Sequence, residues 1–326
     1  MKYYLFLMTV SLLVVNGCVT DPASLGLPDD IPRELYKTIV YSSNVHSGCI
    51  VAEKNQLFLL DSDYPGGVGV FDLASYTKVI DITIGAYSAS GIDVNPTGDL
   101  VYVVAEDLYT IDPYTYEITQ TTDLAGTGSD LVCMQDKVYV SMQWDDCVYV
   151  IDSNSYEISD TISVGEKPTG MCLSVSDEYL YVANYDSDEI SVINTGNDSV
   201  VASISVAHQP SQICALPDGK SIYVSCYSGS VSVIDTNSNT VTDQISVGLR
   251  PFGICSLPNG DYVYVCCASG GVGVNGYAVV VIHTESGLVL GGLDFPGACW
   301  VLPSLDGSEV YVSSDYPSSS TIKVFR

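Results

Sequence analysis

Basic residues are scarce in this chain: 11 Lys and Arg stand against 39 Asp and Glu, for a net charge of −28 over 326 residues. Such a surface repels phosphate backbones and anionic headgroups, which excludes nucleic acid as a partner. It suits cations, basic partners or neutral polar ligands. A high-salt habitat explains the same balance, because screening makes self-repulsion tolerable. Histidine is scarcer still, with only His46, His208 and His283. No HxxxH, CxxCH, GxSxG or P-loop pattern occurs, and no CxxC pair suggests zinc. After residue 15 no stretch repeats its apolar residues every 3.6 positions, so a helical solenoid is excluded.

One apolar run is present at the start. Residues 3–15 follow Lys2 and are too short to span a bilayer, so they read as the core of a signal peptide, 1–17. The run ends in Val15, Asn16, Gly17 and Cys18, which resembles a bacterial lipobox; Asn16 departs from the small residue usual there. The expectation is acylation at Cys18 and attachment to the membrane through that lipid alone, with ordinary secretion as the alternative. Residues 18–34, rich in Pro, Gly and Asp, read as a flexible tether. The other ten cysteines follow a period: Cys172, Cys214 and Cys255 recur at intervals of 42 and 41 residues. That spacing suits small buried core residues better than a disulfide scaffold, although an exported protein meets oxidising conditions.

The period belongs to the whole chain. An apolar strand recurs as GVFD, YTID, YVID, SVIN, SVID, VVIH and KVFR, with last residues at 72, 112, 152, 194, 235, 283 and 326. A second anchor precedes each copy: Leu59-Leu60 in the first and Tyr-Val in the other six, beginning at Tyr102, Tyr139, Tyr181, Tyr223, Tyr264 and Tyr311. Ahead of the anchor lies a small-residue strand ending in a tight turn, as in QICALPDGK, and after the VID strand comes another, as in VVASISV. Val, Ile and Tyr alternate with Ser, Thr and Asp, the period of half-buried strands. Four strands per unit of about 42 residues is the pattern of a propeller blade. The predicted fold is all-β: a seven-bladed β-propeller of four-stranded antiparallel blades over 35–326. The seventh copy lacks a fourth strand, and ELYKTIVYS (34–42) is a lone strand of that type. This N-terminal strand is predicted to complete the last blade and close the ring.

Tyr181-Val182-Ala183-Asn184, with ISVGEKPTGM (162–171) and ISVGLRPFGI (245–254), resembles the YVTN family of β-propellers. The resemblance runs over nearly all of 35–326 and implies the propeller fold. It implies little about activity, since such propellers include envelope proteins, surface-layer components and, more distantly, lactonases.

In this strand order the loops joining second to third strands share one face with the loops joining blades. Variable loops on a rigid scaffold are where function resides. The first set carries Tyr64, Trp144, Tyr185, Tyr227 and Tyr316 beside carboxylates; the second carries Lys167, His208 and Arg250. Aromatics beside carboxylates suit sugars or peptides, or are strand-edge packing. Lys167 and Arg250 suit an anionic ligand over the channel, or pair with neighbours such as Glu166. Clustered carboxylates repel by roughly 4 kcal/mol at about 4 Å, so Asp186, Asp188 and Glu189 are a candidate Ca²⁺ site or, more plainly, a solvated acidic loop. The functional expectation is a non-catalytic binding or scaffolding protein of the cell envelope, taking a protein, glycan or cation and requiring no cofactor. A lactonase-like or other metal-assisted hydrolase and a structural surface-layer component are the alternatives.

Overall fold

Short alternating segments cannot bury one apolar face alone, so each must pair into a sheet and each sheet must pack on another. In the computed structural model, which describes residues 35–41, 45–61, 66–87, 89–267, 278–293, 295–314 and 321–326, twenty-eight strands form seven four-stranded antiparallel sheets. The signal segment 1–17, Cys18, the 18–34 tether, Tyr64 and Tyr316 lie outside the described residues. Six blades use consecutive strands, spanning 45–83, 91–123, 130–163, 168–205, 210–246 and 251–293. The seventh takes three strands from 298–325 and its outer strand from Leu35–Val40, which pairs antiparallel with Thr321–Phe325. The closure predicted from the lone N-terminal strand is therefore present.

The repeat has a packing reason. The tyrosine of each Tyr-Val anchor lies in the second strand, and Tyr102, Tyr139, Tyr181, Tyr264 and Tyr311 are among the largest fully buried side chains. Phe58 fills the same role in blade one. Opposite them on the inner strands stand Cys49, Cys172, Cys214 and Cys255, which explains the 41–42-residue cysteine period. All ten cysteines of the propeller are free thiols, eight of them buried. The core lies between blades: Tyr181, Ile190 and Val192 of blade four pack with Ile213, Ile222 and Val224 of blade five.

Neighbouring blades share no sheet ladder, so polar groups at their seams need other partners. Bulges in five inner strands, including Pro168–Met171 and Pro210–Gln212, turn backbone groups out of register. Hydroxyls from the preceding blade meet them. Ser141 Oγ donates to the Thr169 carbonyl at 2.7 Å, Ser225 Oγ to that of Phe252 at 2.6 Å and Ser313 Oγ to that of Val45 at 2.7 Å. These three serines follow the Tyr-Val anchor directly.

At the opposite ends of the blades, turns between third and fourth strands reach back to the preceding blade. Tyr76, Tyr116, Tyr156 and Asp198 sit at equivalent turn positions with φ between +52° and +62°. The Gln56 amide donates to Tyr116 Oη at 2.9 Å, and Lys137 and Tyr139 Oη both reach Asp198 at 2.6 Å. At the closing seam Glu309 is 5% exposed and accepts from Tyr76 Oη, Tyr311 Oη and Arg326 Nε at 2.5, 2.6 and 2.6 Å. The Arg326 guanidinium lies 3.4 Å from the Tyr36 ring centroid, tying the outer strand into the same cluster.

Two variants measure these seams. Glu309→Ala strands the buried Tyr311 and half-buried Tyr76 hydroxyls and releases the exposed Arg326 guanidinium, and is expected to cost about 2–3 kcal/mol of unfolding free energy in urea. An unchanged midpoint would contradict the role given to Glu309. Ser225→Ala is expected to cost about 1–2 kcal/mol, since the Phe252 carbonyl loses a partner that water cannot easily replace. A variant as stable as the parent would show that water does replace it.

Candidate functional site

The acidic residues divide by face. The aspartate ending the VID strands is a turn device: Asp72, Asp152 and Asp235 accept backbone N–H bonds from Ser75, Ser155 and Ser238 at 2.7–2.8 Å. These bonds, with side-chain bonds from Ser75 and Ser238, hold the three carboxyls below their usual range. His283, which replaces this aspartate in blade six, bonds Ser286 Oγ through Nδ1 at 2.9 Å. A share of the negative charge therefore shapes the tight hairpins.

On the other face, second-to-third-strand loops rest on the loops entering their own blades, as Tyr185 N–H donates to the Lys167 carbonyl at 3.0 Å and Tyr227 N–H to that of Gln209 at 2.9 Å. This confirms the shared face expected from strand order. Lys167, Gln209 and Arg250 occupy one position in successive loops, each before a proline, with φ of +56°, +58° and +55°. Two carboxylates pin this uncommon conformation. Asp146 Oδ1 accepts from Lys167 N–H and Asp188 Oδ1 from Gln209 N–H, both at 2.8 Å.

Five of the singled-out side chains come together. Lys167 Nζ lies 5.6 Å from the Trp144 ring centroid and 4.9 Å from that of Tyr185. Tyr185 meets Tyr227 edge-on at 6.4 Å, and the Arg250 guanidinium lies 5.4 Å from the Tyr227 ring. The result is a continuous rim, Trp144–Lys167–Tyr185–Tyr227–Arg250, crossing blades three to six. Trp144 is 71% exposed. Cations over rings within about 6 Å gain roughly 0.5–1 kcal/mol at exposed sites, enough to orient flexible side chains.

His208 stands beside this rim, with Nδ1 2.9 Å from Asp188. The Gln209 N–H and then the His208 ring hold the Asp188 carboxyl below its usual range. The other two carboxylates of the candidate calcium loop face elsewhere: Asp186 lies 3.8 Å from Lys167 Nζ, and Glu189 accepts from the Ser203 hydroxyl. Asp186, Asp188 and Glu189 thus have three separate sets of partners. Among the described residues no group of three or more His, Cys, Asp or Glu is arranged around one point as metal ligands would be.

Inside the rim is a cavity of about 360 Å³ at the mouth of the central channel, lined by Lys167, Tyr185, Gln143, Gln212, His46, Phe252 and a row of hydroxyls, Ser90, Ser129, Thr169 and Ser211. One residue per blade supplies that row, because the position repeats. A second cavity of about 360 Å³ continues down the channel and is bordered by Asp93, Asp130 and Trp300. Asp93 Oδ2 accepts the Cys133 N–H at 2.9 Å and Asp130 Oδ2 the Met171 N–H at 3.0 Å, so each carboxyl joins its blade to the next. Part of each residue borders the channel, but the carboxyls are enclosed. Burial outweighs the hydrogen bonds and pushes Asp93 up to about 6 and Asp130 up to about 7. Sequence reasoning missed both. Their signal was an aspartate in inner strands (GIDV, SDLV) whose counterparts elsewhere carry no charge.

The fold and site define a seven-bladed β-propeller with a cation–aromatic rim around its channel mouth. A solved chain of Kuenenia stuttgartiensis hydrazine synthase is similar to it in structure, with a TM-score of 0.62, 21% sequence identity, and coverage of 69% of this chain and 73% of that one. At that identity the likeness shows the fold alone. No protein-family model and no curated protein sequence matches the chain.

The two channel aspartates predict a pH dependence. A carboxyl raised above its ordinary 3.8 keeps its proton longer in the folded chain than in the unfolded one. The contribution of these two groups to stability is then fully present below about pH 4 and is lost as pH rises to about 7. Asn at both positions removes the titration and keeps one oxygen for the Cys133 or Met171 N–H, while the local Val94 or Leu131 N–H loses its acceptor at every pH. The stability of Asp93→Asn/Asp130→Asn relative to the parent is therefore expected to rise by on the order of 2–4 kcal/mol from about pH 4 to about pH 7. Parallel stability–pH curves for the two proteins would refute the assignment.

Proposed function

We propose that this chain is an exported propeller of the YVTN type, anchored through an acylated Cys18, that binds a ligand of the cell envelope or extracellular space on its upper face without transforming it. The observation that carries this is the rim of Trp144, Lys167, Tyr185, Tyr227 and Arg250. Its rings, Trp144 exposed and Tyr185 and Tyr227 half-buried, and its two cations are held in place by loops stitched to one another. Rigid, amphipathic aromatics beside cations are the side chains that dominate binding energies, because little freedom is lost on contact. The reading requires no cofactor, and the net charge of −28 argues against nucleic acid.

Two measurements test it. Cys18→Ser is expected to move the protein from the membrane to the soluble fraction, and retained membrane association would remove the anchor. In that soluble background, Trp144→Ala/Tyr185→Ala/Tyr227→Ala is expected to weaken retention on purified cell-envelope preparations by about tenfold or more, with little change in melting temperature. Equal retention of the two proteins would overturn the binding face.

A further inference from the structure

We propose that the channel mouth binds an anionic saccharide, a sugar unit carrying a carboxylate, with the rim taking its ring face and charge and the cavity taking its hydroxyls. It rests on the upper face being a binding surface and adds the chemical class of the ligand. Three features converge on that class. The first is the set of rings: Trp144 is 71% exposed, and Tyr185 and Tyr227 stand edge-on 6.4 Å apart. Trp144, the most exposed of the three, offers a flat apolar surface of the kind that the C–H face of a pyranose covers.

The second is charge. In a chain with 11 basic residues against 39 acidic ones, two cations occupy equivalent loop positions on this one rim. Each lies over an aromatic ring, and Lys167 also faces Asp186 at 3.8 Å, so both are held in place at the rim. A cationic ligand would have to displace Lys167 and Arg250 from those rings. A carboxylate instead gains a charge-assisted hydrogen bond from either. A single carboxylate also meets less repulsion from the acidic surface than a phosphorylated ligand would.

The third is the lining. Ser90, Ser129, Thr169 and Ser211 form a row of hydroxyls at the mouth, with the amides of Gln143 and Gln212 beside them. Ser90 Oγ already donates to the Gly128 carbonyl at 2.7 Å and Thr169 Oγ1 to that of Ser211 at 3.0 Å. Their protons are thus directed between blades while oxygen lone pairs remain to accept from sugar hydroxyls. The cavity of about 360 Å³ falls within the range of small-ligand sites, about 300–1,000 Å³.

Trigalacturonate and its carboxyl-reduced neutral counterpart, titrated calorimetrically into the full-length protein, isolate the charge. The chain has two tryptophans, Trp144 on the rim and Trp300 at 9% exposure, so a fluorescence change lost in Trp144→Phe places the ligand. The expected result is that trigalacturonate binds about tenfold or more tighter than the neutral sugar. Lys167→Gln/Arg250→Gln should bring the two affinities together. Equal binding of both sugars, unmoved by that double variant, would overturn the proposal. So would binding of neither sugar while the aromatic triple variant still loses envelope retention; that outcome leaves the binding face standing. Failure of both assays would remove the binding face as well.

Discussion

Side chains reaching from one blade to the backbone of the next are the interaction on which the ring depends. Each four-stranded sheet satisfies its own ladder, and nothing in that ladder fixes where its neighbour stands. Apolar packing between blades supplies most of the favourable free energy, yet it is non-directional. Direction comes from the seams. Ser141, Ser225 and Ser313 reach forward at the channel mouth, and Tyr76, Tyr116 and Asp198 reach back at the hairpin face. Between blades three and four and between blades seven and one both devices are present, which sets the rotation of one blade on the next. The closing cluster around Glu309 repeats the arrangement at Asp198, a carboxylate shared by tyrosine hydroxyls and a cation.

The rim inherits its precision from those seams. Lys167 belongs to the loop entering blade four, is tied through its own N–H to Asp146 of blade three, and places its ammonium between rings of both blades. If the angle between those blades were loose, the ammonium could not face both rings. The positive φ of Lys167 and Gln209 has the same origin, since a local strain persists only where surroundings over-determine it. Binding chemistry here is a by-product of how the ring is joined.

The period was legible in the sequence because the same packing problem recurs in every blade. A tyrosine buried against a small inner-strand residue must reappear once per turn of the repeat, and Cys172, Cys214 and Cys255 mark where. The shared face of the two loop sets followed from strand order alone. What could not be read was anything depending on the angle between blades. Trp144, Lys167 and Tyr185 were each visible as loop residues, but their stacking needs two sheets at a fixed rotation. Adjacency misled in the opposite direction: Asp186, Asp188 and Glu189 are near neighbours in the chain, yet a tight loop running into a strand aims their carboxyls at Lys167, His208 and Ser203. Asp93 and Asp130 were hidden differently. An aspartate at the end of a strand reads as an ordinary turn residue until it is compared with its counterparts.

The joints differ from seam to seam, and this bears on how such a ring can change over generations. At the hairpin face blade one offers Gln56 to Tyr116 of blade two, blade three offers Lys137 and Tyr139 to Asp198 of blade four, and blade seven offers Glu309 to Tyr76 of blade one. A blade is therefore matched to the one that follows it. A copy duplicated and inserted elsewhere would arrive with half of a joint its new neighbour does not complete. Repetition built the architecture, but its parts have since become keyed to their places, and the ring can now be edited residue by residue far more readily than blade by blade.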